Sequence, residues 1–268
     1  MRILIIGDVV GRPGRRILRD ELPAIREAHG IDVVIANGEN AAGGAGITAK
    51  TAGEIFSAGV DVITSGNHIW DQREAIQYIE QQPRLLRPIN YPGGTPGRGH
   101  YLIEREGSCP LAVVNVHGRV FIDTGFSCPF RAMEQMLARL GEAAIVVDFH
   151  AEATSEKGAF ARHFDGRVDA VIGTHTHVQT ADAQLLPGGT AYVTDVGMTG
   201  SSEGILGVRS EPVIRRFLTQ MPVRFEVAGG DRMINAALLD LTLEDARPRV
   251  RGISLVNEAY HDGRRGNG

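Results

Sequence analysis

Short aliphatic runs recur along this chain, separated by stretches with helical spacing, and that alternation constrains the fold more than any other feature. Residues 3–6, 33–36 and 62–64 are such runs. They are too short for helices and lack the polar alternation of a one-sided strand, so each reads as a strand buried on both faces. Residues 15–29 predict a helix stopped by Gly30, with Pro23 predicting a kink or break. Thr48 predicts the N-cap of a helix running to Ala58 and stopped by Gly59. Residues 71–81 predict a third helix. A β-α-β-α-β-α series implies right-handed crossovers and a parallel sheet.

Residues 82–99 are rich in Pro and Gly and read as a long surface loop. Further strands are expected near residues 101–103, 112–116, 144–149, 170–173 and 191–194. Helices are expected over 130–140, stopped by Gly141, over 212–219, and from a cap at Ser155 to near Gly166. Residues 223–227, 236–241 and 249–255 alternate as antiparallel strands do. No internal repeat or linker interrupts the pattern. One α/β domain is therefore expected over 1–260, with a disordered tail over 261–268.

Composition excludes several classes. At 268 residues, 43% hydrophobic and 22% charged, the chain can bury a sizeable core and is neither disordered nor fibrous. Lys+Arg 28 against Asp+Glu 32 gives −4, so there is no general basic excess to coat a polyanion, and stable duplex nucleic-acid binding is not expected. The longest apolar run, 143–147, is far short of a membrane span. The N-terminal stretch turns acidic too soon for a secretory signal, and Cys109 and Cys128 lack CxxC spacing. A cytoplasmic protein with free thiols is expected.

The chemistry collects where strands end. In α/β sheets, ligands bind beyond the carboxyl ends of the strands. Here the first strand runs into Asp8, the second into Asn37-Gly38-Glu39-Asn40, and the third into Gly66-Asn67-His68. Two later ones run into His150 and into His175 and His177. Each residue alone has a bland reading: a helix cap, a solvated turn, a surface histidine. Together they place carboxylates, amides and imidazoles at one rim, a donor set that suits metal ions. Residues two apart in an extended segment point the same way, so His175 and His177 are expected to face one cluster. The Glu39 carboxylate can bridge two cations. Asn40 and Asn67 offer neutral oxygens, and His68, adjacent to Asn67, suits a proton donor better than a ligand. Gly7, Gly11 and Gly14 fit neither a P-loop nor G-x-G-x-x-G, which sets aside a dinucleotide-binding fold.

At these residues the chain resembles the calcineurin-like metallophosphoesterases. The segments Gly7-Asp8, Gly38-Glu39-Asn40, Gly66-Asn67-His68, His150 and Gly173-Thr174-His175-Thr176-His177 match that superfamily in order and spacing over about two-thirds of the chain. Val10 replaces the superfamily's first histidine, Glu39 its bridging aspartate, and Ile69 the acid that follows its Asn-His pair. These departures resemble the bacterial YmdB-like branch. The resemblance implies a four-layered α/β/β/α sandwich. It implies one metal on Asp8, Glu39, Asn40 and His177 and a second on Glu39, Asn67, His150 and His175, with Glu39 bridging. His117 also ends an apolar run and rivals His150. The ligand types favour iron or manganese, with zinc permitted.

The implied activity is hydrolysis of small phosphodiesters such as 2′,3′-cyclic nucleotides, with 3′,5′-cyclic nucleotides as a further option. A metal-bridging hydroxide would attack in line and His68 would act as general acid. Two alternatives use the same residues: a phosphomonoesterase, and a nucleotide-binding regulatory module with little turnover. The loop 82–99, with Arg84, Arg87, Tyr91 and Arg98, could cover the substrate, although Tyr91 reads first as a packed loop residue, and residues 195–209 could line the pocket. A homo-oligomer is compatible with the sequence.

Overall fold

Alternate side chains of the first strand enter different layers, and that parity lays out the architecture. The computed structural model describes residues 1–105, 109–122, 125–244 and 247–261. In β1 (Arg2–Ile6), Leu4 and Ile6 pack with Ile17, Leu18 and Leu22 of helix α1 (Gly11–His29). Ile3 and Ile5 face the other way, onto Val113, Val146 and Ile172 of a second sheet. That sheet's outer face buries Val114, Val147 and Val171 against further helices. The order is therefore helices, sheet, sheet, helices, the four-layered α/β/β/α sandwich the resemblance implied.

The first sheet runs β2 (Asp8–Val9), β11 (Met198–Ser201), β12 (Arg232–Glu244), β1, β3 (Val33–Asn37), β4 (Val62–Thr64), with β13 (Arg247–Tyr260) paired to β12. β1, β3 and β4 are parallel, whereas β12 is antiparallel to β1. The second sheet runs β5 (His100–Ile103), β6 (Leu111–His117), β7 (Ala144–His150), β8 (Ala170–Thr174), β10 (Ala191–Val193), β9 (Gln184–Leu185). β6, β7, β8 and β10 are parallel. Parallel pairing brings the carboxyl ends of the ligand-bearing strands to one edge. The outer helices are α1, α2 (Ala49–Ser57) and α3 (Ala75–Gln81) on one side, and α4 (Pro129–Leu140) and α5 (Thr154–His163) on the other. No helix among the described residues is long and apolar enough to cross a membrane.

Several boundaries differ from expectation for local reasons. α1 starts at Gly11 rather than residue 15, because Gly11 turns at φ +56 while its N–H donates to Asn40 O at 2.9 Å. Pro23 does not interrupt the helix, whose buried Leu22 and Ile25 hold it against the sheet. Gly30 ends it in the left-handed region. Thr48 caps α2 reciprocally with Thr51. α5 begins at Thr154 with its cap at Ala153, two residues ahead of the expected cap at Ser155. Residues 223–227 do not form the expected strand. Val227 makes one bridge to Val208 and instead packs its side chain against Gly11. The short strands β2, β9 and β11 carried no sequence signal. Of the expected tail, residues 262–268 lie outside the described residues.

Candidate metal centre

The rim where these strands end brings together all seven expected metal-type donors. On one side, Glu39 Oε1 lies 2.9 Å from His150 Nε2. His150 Nε2 also lies 3.0 Å from His175 Nδ1 and 3.3 Å from Asn67 Oδ1. Donor atoms of Glu39, His150 and His175 all fall within 4.8 Å of one another. On the other side, His177 Nε2 stands 3.8 Å from Asp8 Oδ1 and 3.2 Å from Asn40 Nδ2. The His175 backbone N–H donates to Asp8 Oδ2 at 3.1 Å, joining the two halves.

The His-x-His segment is not extended as expected. His175 and His177 have φ of +97° and +65°, in the left-handed region that residues with side chains seldom occupy. Two carboxylates hold this conformation: Asp8 accepts from His175 N–H, and Asp195 Oδ2 accepts from Thr176 N–H at 3.0 Å. The two imidazoles thereby enter opposite halves of the cluster instead of lying side by side.

The electrostatics suit cations. Asp8 and Glu39 are both buried, and their partners are amides, imidazoles and backbone N–H groups. Burial, reinforced by Glu39 and Asp195, holds the Asp8 carboxyl well above the usual carboxylate range. Two buried carboxylates without a basic partner are costly unless a cation neutralises them. Burial also pushes His150, His175 and His177 down, leaving neutral rings with a free lone pair. Gly66 completes the enclosure, since a Cβ there would sit 2.2 Å from His150 Cδ2 and 2.5 Å from Glu39 Oε2. Buried carboxylates, neutral imidazoles and amide oxygens form a donor set that fits metal ions.

Residues the sequence did not single out support this set. Asp148, two positions before His150 on β7, accepts from Thr174 Oγ1 at 2.7 Å, from Thr64 Oγ1, and from Asn37 Nδ2 at 3.3 Å. Asn37 and Thr174 in turn lie 3.3 and 2.9 Å from His150 Nδ1, fixing the ring that offers Nε2 to the centre. Burial raises the Asp148 carboxyl to about 6. Lys157 Nζ, fully buried, donates to Asp195 Oδ2 and to Thr174 O, both at 2.7 Å. Glu152 Oε2 stands 3.1 Å from His175 Nε2. A period-2 reading of β7 would have found Asp148, because it shares a face with His150. Lys157 left no signal.

His68 donates its backbone N–H to Glu39 Oε2 at 3.1 Å, but its ring turns outward to Asp71. His117, the rival of His150, lies 3.4 Å from Asn67 Oδ1, tilts against the His150 ring at 5.2 Å between centroids, and stacks on Phe126 with centroids 4.1 Å apart. Burial pushes it down to about 3. In the loop over 82–99 the singled-out side chains make local contacts. Arg87 points inward to the carbonyls of Pro88, Thr95 and Pro96, Arg84 stacks over Phe56, and Tyr91 packs between Trp70 and Phe126. Tyr91 is thus the packed loop residue the sequence favoured, and Arg84 and Arg87 fasten the loop. Leu206, within the expected pocket segment 195–209, accepts from His177 Nδ1 through its carbonyl at 3.2 Å.

The sequence signature of the YmdB-like protein family matches residues 4–253. The 2′,3′-cyclic-nucleotide 2′-phosphodiesterase of Bacillus subtilis (strain 168) is 47% identical over 243 residues, which is 90% of this chain and 91% of that protein. A crystal structure described as a novel phosphatase from Mycoplasma pneumoniae superposes with a TM-score of 0.91 at 31% identity, covering 98% of this chain and 95% of that one. The calcineurin-like phosphoesterase YfkN from Bacillus subtilis shares the fold, with a TM-score of 0.58 at 12% identity over 97% and 90% of the two chains.

Proposed function

The chain belongs to the YmdB-like family, and from that membership we propose that it hydrolyses small phosphodiesters, 2′,3′-cyclic nucleotides foremost, at the centre around Glu39. Its relatives are a phosphodiesterase and a phosphatase, which makes this chain a phosphoester hydrolase. The observation that carries the finer reading is the position of Glu39, buried 2.9 Å from His150, with its donor atom and those of His150 and His175 within 4.8 Å of one another.

We assign one metal to Asp8, Glu39, Asn40 and His177 and the other to Glu39, Asn67, His150 and His175. Such ions, when bound, supply Lewis acidity at the phosphoryl oxygens and a water acidic enough to attack at neutral pH. Nitrogen and oxygen donors without thiolate favour iron or manganese, with zinc permitted. Asp8 and Glu39 bring only two negative charges to these sets, so a loaded site stays positive and attracts an anionic diester although the chain carries −4. His68 presents the ring edge opposite Asp71 to the leaving oxygen and gives it a proton. His117 holds Asn67 from behind. Residues 1–260 act as one unit, consistent with C-terminal β12 pairing directly with N-terminal β1. The free thiols Cys109 and Cys128 suit a reducing cytoplasm.

The test is hydrolysis of bis-p-nitrophenyl phosphate before and after chelation, with Mn²⁺ added back. Loss on chelation and recovery with Mn²⁺ are expected, followed by turnover of 2′,3′-cyclic nucleotides above 3′,5′-cyclic ones. Faster cleavage of mono-p-nitrophenyl phosphate would mark a phosphomonoesterase. A protein shown to hold two metals yet inert toward all of these would be a binding module.

A further inference from the structure

The acidic chain concentrates positive charge in one place on its helical layer. Arg12, Arg15, Arg16 and Arg19 of α1 and Lys50 of α2 line a groove of about 1090 Å³ between the two helices, and Glu54 is the one carboxylate in its wall. Arg15 is taken up by Glu54 at 2.6 Å and by the Ala41 carbonyl, and Arg19 by Asp20 at 2.7 Å. Arg12, Arg16 and Lys50 are exposed, and among the described residues no carboxylate lies within ion-pair distance of them. Arg12, Arg16 and Arg19 follow helical spacing along one face, and their Cα positions span about 10 Å. That is a row of cations, longer than a single phosphate needs.

The groove adjoins the metal centre. At its upper end Gly11 N–H donates to Asn40 O at 2.9 Å, and Arg15 grips Ala41. The loop that follows is a low ridge of glycines. A Cβ on Gly43 would meet nothing within 4 Å, whereas one on Gly46 would touch Asp71 and Gln72, beside His68. A chain leaving the centre for the cations passes the open Gly43 backbone, with Val227 packed over Gly11 and Gly44 beside it.

We propose that this groove binds the phosphates of a single-stranded RNA whose terminal diester enters the centre. The inference rests on the phosphodiesterase reading above. Ribose is required because only a 2′-hydroxyl allows a 2′,3′-cyclic end, and guanidinium groups match phosphate through paired hydrogen bonds. A strand is preferred to a free nucleotide because the row extends beyond one phosphate.

The test is fluorescence anisotropy of a labelled 12-nucleotide RNA with the metal-loaded enzyme and with R12Q/R16Q/K50Q, beside bis-p-nitrophenyl phosphate turnover by both. Three lost phosphate contacts predict weakening on the order of 100-fold at 0.1 M salt, and a slope of log K against log salt shallower by about 2. Small-diester turnover and the melting temperature should stay unchanged. Equal binding by the variant and the wild type overturns the proposal. So does competition by poly-L-glutamate as strong as by RNA, which would mark an acidic-peptide surface. A wild type that cleaves the small diester but does not retain RNA overturns the groove and leaves the functional reading standing. Retention of RNA by a wild type without diesterase activity supports the groove and removes that reading.

Discussion

Asp71 Oδ2 lies 2.8 Å from His68 Nδ1, one turn further along the chain. Ile69 follows this histidine directly and is fully buried in the helix-side core. The acid stands three residues after His68. It holds the imidazole through Nδ1 and leaves Nε2 free. Asp71→Asn keeps the shape and removes the charge, so the His68 ring is less well held. We expect kcat to fall on the order of 10-fold, with metal content unchanged by elemental analysis.

His68→Ala separates proton transfer from metal binding. Only the His68 backbone N–H touches Glu39, and alanine keeps it. Turnover of a poor leaving group is expected to drop by about 10²–10⁴, while both metals remain by elemental analysis. Loss of metal would return His68 to the ligand set.

Gly66→Ala drives a methyl group into His150 and Glu39, at 2.2 and 2.5 Å before relaxation. The expected result is a folded protein that has lost at least one metal. Gly53→Ala, in mid-helix with nothing within 4 Å of the new Cβ, is the control. It should keep its metals and gain about 0.5–1 kcal/mol of stability.

Lys157→Met leaves Asp195 buried and unpaired, because both side chains are fully buried. Removing one partner of such a pair costs about 3–5 kcal/mol, readable by urea unfolding. Asp195 also holds Thr176 N–H, so metal affinity should fall along with stability. Lys157→Met combined with Asp195→Leu should recover much of the stability but not the affinity, since the His-x-His backbone would still be unpinned.

Much of the scaffold was readable locally. Strand runs, the Thr48 cap and the Gly30 stop depend on residues a few positions apart, and they appear nearly where expected. The failures were local features overridden by distant ones. Residues 223–227 alternate like a strand, yet Val227 turns onto Gly11. Arg84 and Arg87 look available in sequence, yet Phe56 and loop carbonyls occupy them.

The sequence by itself determined which side chains stand at strand ends, and through strand parity which of their neighbours are buried, because both follow from chain geometry over two to four residues. It thus named Asp8, Glu39, Asn40, Asn67, His150, His175 and His177 as one rim. Only the tertiary structure decided how they meet. Glu39 and His150 belong to different sheets, and their 2.9 Å contact exists because two twisted sheets stack face to face. The left-handed turns at His175 and His177, and the choice of His150 over His117 as the neighbour of Glu39, follow from carboxylates and packing supplied by other strands. No local propensity encodes contacts between residues more than a hundred positions apart.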